Sequence, residues 1–306
     1  MTAVLQSVIL PLRFQVGART LASIRRHMVR VPLTLGDALG GRLPVLPPLD
    51  RAVHGYALTS LPATLREDVA QAGLLAFVRQ SYNRYYTDLA IGFEPWFKAM
   101  SSSARATLKR KRRKLAEASG GELDVRRYRT AAELALFHPI ARRISVRTYQ
   151  ERLMDSGLPD DPAFLKRMYA HAVNDEVRAW LLFVGGEPVA YLFCESDGDI
   201  LRYDHVGHDP AFAELSPGQV LQIEAFRDLF GERRFARFDF TEGEGQHKRQ
   251  FSTGHVACVD LLLLRATAAN RAAMLALSGF DRIAAWGKSI AERPVLRGIA
   301  KRLRRA

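Results

Sequence analysis

The strongest constraint on the fold is a group of three apolar runs between residues 177 and 209. Their sequences are VRAWLLFVG, EPVAYLFCES and ILRYDHVGHD, with Gly185-Gly186 between the first two and Asp197-Gly198 between the last two. Two-residue turns of this type join neighbouring antiparallel strands. The stretch therefore predicts a three-stranded antiparallel meander.

The segments around the meander predict a complete domain. Before it come a strand in GELDVRRYRT and helices in AAELALFHPIARRISVRTYQERLM and DDPAFLKRMYAHAVND. After it come a helix in SPGQVLQIEAFRDLFG, a strand in RFARFDFTEG, a helical turn in QHKRQFS and a strand in HVACVDLLLLRA. The order β-α-α-β-β-β-α-β-α-β predicts one α+β domain over residues 122–266, followed by basic helices over 267–306.

Residues 1–100 predict a smaller lobe. LASIRRHMVR is typical of a short helix, and the Pro- and Gly-rich stretch after it predicts an irregular connection. GYALTS, LLAFVRQ and YYTDLAI predict strands, and LREDVAQAG predicts a short helix.

Residues 101–121 predict a basic linker helix. Its sequence places six basic residues side by side from Lys109 to Lys114, after Ser101 as a helix cap and before Gly120 and Gly121 as its end. One narrow apolar face is expected to pack, and the basic remainder is expected to face water or an anion.

The composition limits the partners and the compartment. Forty-five Lys and Arg against thirty-two Asp and Glu give a formal charge of +13, which favours anionic partners. Two cysteines, Cys194 and Cys258, predict neither a disulfide framework nor a zinc site, so no metal and a cytoplasmic location are expected. No apolar run reaches the roughly 20 residues of a membrane span. Contact with the inner membrane face would be peripheral, through a tail with Leu296, Ile299, Ala300 and Leu303 at helical spacing.

Three local motifs carry a resemblance to a known family. They are SSSARATLKRKRRKLAEASGGELDV, GHDPAFAELSPGQVLQIEAF and FDFTEGEGQHKRQFS, in this order over residues 81–266. They resemble the CelD and FemAB-like branch of the GNAT acyltransferases, which is linked to bacterial polysaccharide and peptidoglycan assembly. The resemblance implies a mixed, mostly antiparallel sheet with flanking helices, preceded by a smaller degenerate GNAT-like half.

The same resemblance implies a donor site at the start of the central helix. Ser216, Pro217, Gly218 and Gln219 would bind the diphosphate of an acyl-CoA such as acetyl-CoA, because free amides and the helix dipole favour anions. Arg249 would add a bidentate contact to phosphate or carboxylate. The alternative is structural, with Ser216 as the helix cap and Pro217 as the first helical residue.

Four residues are candidates for the chemistry. Asp239 and Lys248, in FDFTEGEGQHK, could orient or deprotonate an acceptor; the alternative is an ion pair of Asp239 with Lys248 or Arg249. Tyr203 and His205 would share one face of the third meander strand, with His205 as a base or as a structural residue. His208 and His247 rank below His205.

Three functions follow from these observations. The first is an acyltransferase that takes an anionic CoA- or carrier-bound thioester and modifies an amine or hydroxyl of a sugar, polysaccharide or lipid precursor. The second is a FemAB-like aminoacyltransferase that uses aminoacyl-tRNA, which is the one case in which nucleic acid is an expected partner. The third is a non-catalytic basic adaptor on an anionic membrane.

Overall fold

The computed structural model describes residues 7–16, 19–69, 73–148 and 157–291. The chain divides into two compact units. The first comprises Met1–Leu33, Asp37–Ser81 and Cys258–Ala306, and the second comprises Thr34–Gly36 and Tyr82–Ala257. These divisions differ from the predicted boundaries at residues 100 and 266. Linker signals in a sequence mark loops, whereas here the divisions fall inside two strands, Leu74–Asp88 and Gly254–Arg265.

The first unit contains a sheet and a long helix. Its elements are β1 (Ser7–Val16), β2 (Arg19–Pro32), β3 (Gly55–Pro62), the first part of β4 (Leu74–Asp88), most of β11 (Gly254–Arg265) and α8 (Ala268–Ala291), with α1 (Leu35–Leu39) at the chain division. β2 pairs antiparallel with β1 and parallel with β3, and β3 pairs antiparallel with β11. Leu277 of α8 packs into the apolar cluster that contains Leu12 and Met28.

The N-terminal region differs from the prediction in three places. LASIRRHMVR lies in strand β2, since Ile24 and Met28 are four residues apart and this spacing puts them on one face of a strand as well as of a helix. LLAFVRQ and YYTDLAI form one strand, β4. The segment predicted as a helix near residues 65–73 contains only a 3-10 turn, Ala63–Leu65, in its described part.

The second unit is a mixed sheet with helices on both faces. Its elements are α2 (Phe93–Ala99), α3 (Ser102–Ala118), β5 (Asp124–Tyr128), α4 (Ala131–Ser145), α5 (Pro162–Val173), β6 (Val177–Val184), β7 (Glu187–Asp197), β8 (Ile200–Arg202), β9 (His205–His208), α6 (Pro217–Glu232), β10 (Arg237–Asp239) and α7 (Gln246–Phe251).

The order of its strands is β4-β10-β8-β7-β6-β5, with β9 also paired to β7. The β10–β8 pairing is parallel and the others are antiparallel. This arrangement confirms the predicted fold class of a mostly antiparallel GNAT-like sheet with flanking helices.

Alternating residues of β6 and β7 build two apolar layers. One layer faces α6 and the other faces α4 and α5, as the period of two along a strand requires. The first includes Trp180, Leu182, Leu192 and Phe226, and the second includes Leu181, Phe193, Phe137 and Met168. The sheet therefore holds the start of α6 in a fixed position.

The helix predicted for residues 101–121 forms as α3 and lies within the second unit. The Ser101 hydroxyl accepts a hydrogen bond from the Ala104 amide at 3.2 Å and caps α3. Gly120 and Gly121 follow with φ of 85° and 109°, conformations that glycine adopts without a Cβ clash. At the other end of the chain, the predicted tail helix from residue 292 onward lies outside the described residues.

The third meander strand is interrupted. β8 pairs with β7 and β10, and β9 returns to pair with another part of β7, so Tyr203 and Asp204 lie in a break between them. The Asp204 carboxylate accepts the Glu195 amide of β7 at 2.8 Å, and a side chain thus replaces a backbone bond of the ladder. The prediction that Tyr203 and His205 lie on one continuous strand is therefore wrong.

Candidate active site

The break between β8 and β9 opens onto a cleft of about 780 Å³ in the second unit. The cleft is bordered by α3, by the start of α6 and by the segment from β10 into α7. Seven of the nine predicted site residues line it: Tyr203, His205, Ser216, Pro217, Gly218, Gln219 and Lys248. Asp239 and Arg249 do not belong to its lining.

The start of α6 presents a backbone amide to the cleft. The Ser216 carbonyl accepts the amides of Gln219 and Val220 at 3.1 and 3.3 Å, and Pro217 has no amide hydrogen. The Gly218 amide has no backbone acceptor among the described residues. An anion at this point would receive that amide and the positive end of the helix dipole.

Ser216 does not cap α6 with its side chain, although the sequence predicted that role. Its backbone has φ of 53° in the left-handed region, and its hydroxyl makes no capping hydrogen bond. Thr241, also on the cleft, has φ of 58°. Residues other than glycine pay a conformational cost in this region, and such strain concentrates at functional sites.

Lys111 brings the positive charge of the basic run to the cleft. Its Nζ donates a hydrogen bond to the Gln219 side-chain oxygen, one residue past Gly218. A neighbouring recess of about 520 Å³ shares Lys111, Gln219 and His247 with the cleft. The lysine therefore lies beside the helix terminus that would hold an anion.

Three other basic residues of α3 have partners outside the cleft. Arg112 donates to Glu224 at 2.8 Å, Lys114 donates to the Glu214 carbonyl at 3.2 Å, and Arg113 is 3.6 Å from Glu117. Among the described residues of the basic run from Lys109 to Lys114, Lys111 is the one that lines the cleft.

Burial shifts the pKa of three consecutive residues in the strand break. It raises the pKa of the Tyr203 phenol, so this group is protonated at neutral pH. It raises the pKa of Asp204 to about 6, against the opposing effect of Arg202. Burial, with a smaller effect of Arg167, lowers the pKa of His205 to about 4, which makes this imidazole neutral and weakly basic.

Two buried nitrogens on the cleft lack hydrogen-bond partners within the described part of the chain. They are Nε2 of His247 and Nε2 of Gln222, and Gln222 is only 3% exposed. Burial, followed by Lys248, lowers the pKa of His247, so its ring is neutral. Because buried polar atoms are nearly always paired, these two nitrogens are available for hydrogen bonds to water or to a bound ligand.

Asp239 has a different partner from those predicted. Its Oδ1 and Oδ2 accept Nε and Nη2 of Arg84 at 3.1 and 2.6 Å, and both side chains are buried. Oδ1 also accepts the Thr241 amide at 2.9 Å. The predicted pairing of Asp239 with Lys248 or Arg249 is therefore wrong, because this carboxylate forms a buried ion pair with Arg84 instead.

The two predicted cations of α7 separate. Lys248 lines the cleft, its Nζ donates to the Glu242 carbonyl at 2.5 Å, and burial lowers its pKa. Arg249 is exposed and lies 3.7 Å from Glu244. The structure therefore does not support the predicted contact of Arg249 with a donor in this cleft.

A smaller apolar slot of about 180 Å³ lies between α2, α3 and α6. Phe93 and Phe97 stack in its wall at 5.7 Å between ring centres, and the Arg227 guanidinium lies 4.3 Å over Phe93. Its aromatic groups already have a partner, and no unpaired buried nitrogen among the described residues lines it. The larger cleft is therefore the candidate site.

The sequence also predicted no metal site, no disulfide framework and no membrane span. Within residues 7–16, 19–69, 73–148 and 157–291, no cluster of three His, Cys, Asp or Glu side chains has a metal-binding arrangement. Cys194 and Cys258 are buried, and burial raises the pKa of the Cys194 thiol. None of the described helices is long and apolar enough to cross a bilayer.

Sequence reasoning missed Gln222 and did not single out two other residues of the cleft, Lys111 and His247. In the sequence, Lys111 is one of six neighbouring cations, and the fold shows that it lines the cleft. Gln222 follows Gly218 by four residues, and this helical spacing was an available signal. His247 precedes Lys248 in the third motif, but the sequence did not show that its Nε2 would be buried without a partner.

Comparison with known proteins concerns the family and the fold. Residues 102–249, slightly less than half of the chain, match the family model described as acetyltransferase (GNAT) domain. A search of curated proteins gives no match.

Two solved structures share the fold. One is the C-terminal domain (DUF2156) of a protein assigned as a lysylphosphatidylglycerol synthetase from Agrobacterium fabrum: TM-score 0.50, 13% identity, 74% of this chain and 72% of that chain covered. The other is FemX: TM-score 0.50, 8% identity, 84% of this chain and 88% of that chain covered. At these identities the likeness concerns the fold. The family match supports a transferase.

Proposed function

We propose that the chain is an acyltransferase. It takes an acyl group from a CoA or carrier-protein thioester and transfers it to an amine or hydroxyl of an acceptor. The observation that carries the proposal is the cleft itself, which combines a helix N-terminus and Lys111 with the unpaired nitrogens of His247 and Gln222. These groups fit a donor that bears phosphate and an amide-rich arm, which would satisfy the unpaired nitrogen of Gln222 and leave that of His247 to the acceptor.

The donor phosphates would bind at the start of α6. The usual GNAT loop offers repeated glycines, whereas Pro217 here removes one amide and leaves that of Gly218. Lys111 offsets this loss with a full positive charge. The chain thus replaces part of a backbone anion site with one side-chain cation.

His247 and Tyr203 have the protonation states that the transfer needs. A neutral His247 can accept the proton of the attacking amine or hydroxyl at Nε2, while a bond forms from that atom to the thioester carbon. When the carbon–sulfur bond breaks, the Tyr203 hydroxyl can donate a hydrogen bond to the departing thiolate, which takes its proton from water. Their rings lie 6.0 Å apart between centres, so both can act on one bound substrate pair.

We assign Asp239 a positioning role. Its bonds to Arg84 and to the Thr241 amide fix the segment that leads to His247 and Lys248. Lys248 provides a second cation on the cleft, which would stabilise the negative charge on the carbonyl oxygen during transfer.

The acceptor class follows from the resemblance to the CelD branch. We infer a sugar, a polysaccharide or a lipid-linked precursor, because that branch is linked to bacterial polysaccharide assembly. The assignment to this branch rests on the three sequence motifs.

Thermal unfolding of the purified full chain with acetyl-CoA tests the proposal. A ligand at about 100 times its Kd stabilises the native state by about 2.7 kcal/mol, which raises the melting temperature by several degrees. His247→Gln should bind acetyl-CoA with a similar shift and lose most of the transfer activity, measured as thiol release. The absence of a shift with any CoA thioester would contradict the proposal.

A second candidate is an aminoacyltransferase that uses aminoacyl-tRNA. The observation that favours it is the positive surplus of the first unit, which contains nineteen Lys and Arg against seven Asp and Glu. Stabilisation by aminoacyl-tRNA, without stabilisation by CoA thioesters, would replace the first candidate with this one.

A further inference from the structure

Helix α8 of the first unit has two apolar faces. The inner face includes Ala273 and Leu277, which are buried, and Phe280, whose ring meets that of Phe14 edge-on at 5.4 Å. The outer face carries Leu275, Ile283 and Trp286, which are 73%, 70% and 68% exposed. A helix that packs with one side normally has a polar outer side, so this outer face requires another explanation.

The exposed residues form one stripe. At 100° per residue, Leu275, Ile283 and Trp286 fall within an arc of about 80°. The exposed residues inside or next to this arc are small: Ala272, Ala276 and Gly279. Nothing polar interrupts the stripe, and the small residues would let a flat surface come close to the helix backbone.

Positive charge borders the stripe. Arg271 and Arg282 are exposed along one edge of it. The acidic residue of this helix, Asp281, lies on the other side and is paired with Arg79 at 3.5 Å. The sequence after residue 291 adds six Lys and Arg against one Glu.

We propose that the outer face of α8 is a docking surface for an anionic lipid membrane. Leu275 and Ile283 would enter the boundary between headgroups and acyl chains, and Trp286 would lie at the headgroup level, where its ring and N–H are both accommodated. Arg271 and Arg282 would contact lipid phosphates. Such docking would hold the chain next to lipid-linked molecules, and it does not depend on the donor proposed above.

Two other occupants fit the surface less well. Nucleic acid is bound by cations at the centre of the contact, whereas the centre here is Leu, Ile and Trp. A stable dimer needs about 800 Å² per partner, and one row of three large side chains provides less than this area.

Vesicle binding by the full chain tests the proposal. The chain should co-sediment with vesicles of phosphatidylcholine and phosphatidylglycerol, and it should bind less to phosphatidylcholine alone or in high salt. Leu275→Asp and Ile283→Asp should each lower the partition coefficient roughly tenfold. The matched control is Leu136→Asp, because Leu136 is 66% exposed on a helix of the second unit. It should bind like the unmodified chain.

Tryptophan fluorescence gives a readout that needs no substitution. Of the three tryptophans, Trp96 and Trp180 are each 2% exposed, so a spectral change reports Trp286. Its emission should shift to shorter wavelength with anionic vesicles, and brominated lipids should quench it.

Three results would overturn the proposal. The first is vesicle binding by Leu275→Asp and Ile283→Asp equal to that of the unmodified chain, with unchanged melting temperatures. The second is self-association without lipid that the same substitutions abolish, which would identify a second copy as the occupant. The third is RNA binding with the same sensitivity to these substitutions and no vesicle binding.

Discussion

The two units differ sharply in charge. The first contains nineteen Lys and Arg against seven Asp and Glu, a net charge of +12, whereas the second contains twenty-six against twenty-five, a net charge of +1. The formal charge of +13 therefore describes the first unit almost entirely. The candidate cleft lies in the nearly neutral unit, so its preference for an anion depends on where individual charges lie.

The second unit pairs its charges locally. Arg178 donates to Glu232 and lies 2.9 Å from Asp175, which also binds Arg129, and Asp228 accepts from Trp180 at 2.9 Å. The side chains of Arg129 and Arg178 hold the pKa of Asp175 at about 2, against the effect of burial. In such a background, Lys111 and the start of α6 bring positive charge to the cleft.

Removal of the buried pair in the second unit should have the largest effect. Arg84→Met leaves the Asp239 carboxylate buried without its partner and should lower the free energy of unfolding by about 3–5 kcal/mol. Urea denaturation measures this change. Arg113→Met breaks an exposed pair with Glu117 and should cost less than about 0.5 kcal/mol. Equal losses of unfolding free energy in both variants would mean that the buried Arg84–Asp239 pair contributes no more to stability than an exposed ion pair.

The pH dependence of stability should separate Asp204 from His205. The pKa of His205 is lowered to about 4, so its contribution is present above the unfolded value of about 6.5 and is lost as the pH falls to 4. The pKa of Asp204 is raised to about 6, so its contribution is present below about 3.9 and is lost as the pH rises through 6. In the unmodified chain, these two contributions change the free energy of unfolding in opposite directions as the pH changes, so they partly cancel.

Asp204→Asn removes one of these slopes. Relative to the unmodified chain, this variant should lose about 2 kcal/mol of stability between pH 6.5 and pH 4, after allowance for partial exposure of both groups. His205→Gln should show the opposite trend. Denaturation curves across this range measure both, and variants that stay parallel to the unmodified chain would contradict the assigned shifts.

Lys111→Met should weaken donor binding without unfolding the chain. The loss of one cation beside the helix terminus should raise the KM for acetyl-CoA about tenfold, equivalent to about 1.4 kcal/mol, with a smaller effect on kcat. Arg110→Met is the matched control, because Arg110 neighbours Lys111 on α3 and is exposed. An equal rise in KM in both variants would mean that the overall charge, and not the position of Lys111, determines donor binding.

The smallest effect should come from the charged first unit. Arg25→Gln with Arg30→Gln removes two exposed cations from β2 and should change the KM for acetyl-CoA by less than about twofold, since neither residue lines the cleft and exposed charges are screened by salt. Initial rates at physiological salt measure this change. A rise as large as that of Lys111→Met would mean that the donor uses the first unit.

Sequence reasoning succeeded where one local rule decides the structure. Gly185-Gly186 set the turn of the meander, and Ser101 with Gly120 set the ends of the linker helix. It failed where local rules are ambiguous, as in β2, where spacing of Ile24 and Met28 suits both a helix and a strand. It also failed where a partner is distant, since Arg84 and Asp239 are 155 residues apart.

The residues of the candidate site, like the elements of the fold, were predicted in part. The Ser216–Gln219 segment was found because a helix start has a recognisable sequence and a known affinity for anions. The break at Tyr203 was not found, because it depends on Asp204 replacing a backbone bond of β7, and no local pattern encodes that contact. For the same reason the unpaired nitrogens of Gln222 and His247 could only be recognised in three dimensions.

Hydrogen–deuterium exchange with and without acetyl-CoA tests the central claim most directly, namely that the donor binds in the cleft of the nearly neutral unit. The predicted result is slower exchange in peptides over residues 216–222 and 241–248, including the Gly218 amide, and unchanged exchange in β2 over residues 19–32. Protection confined to β2, with none at the start of α6, would contradict the account.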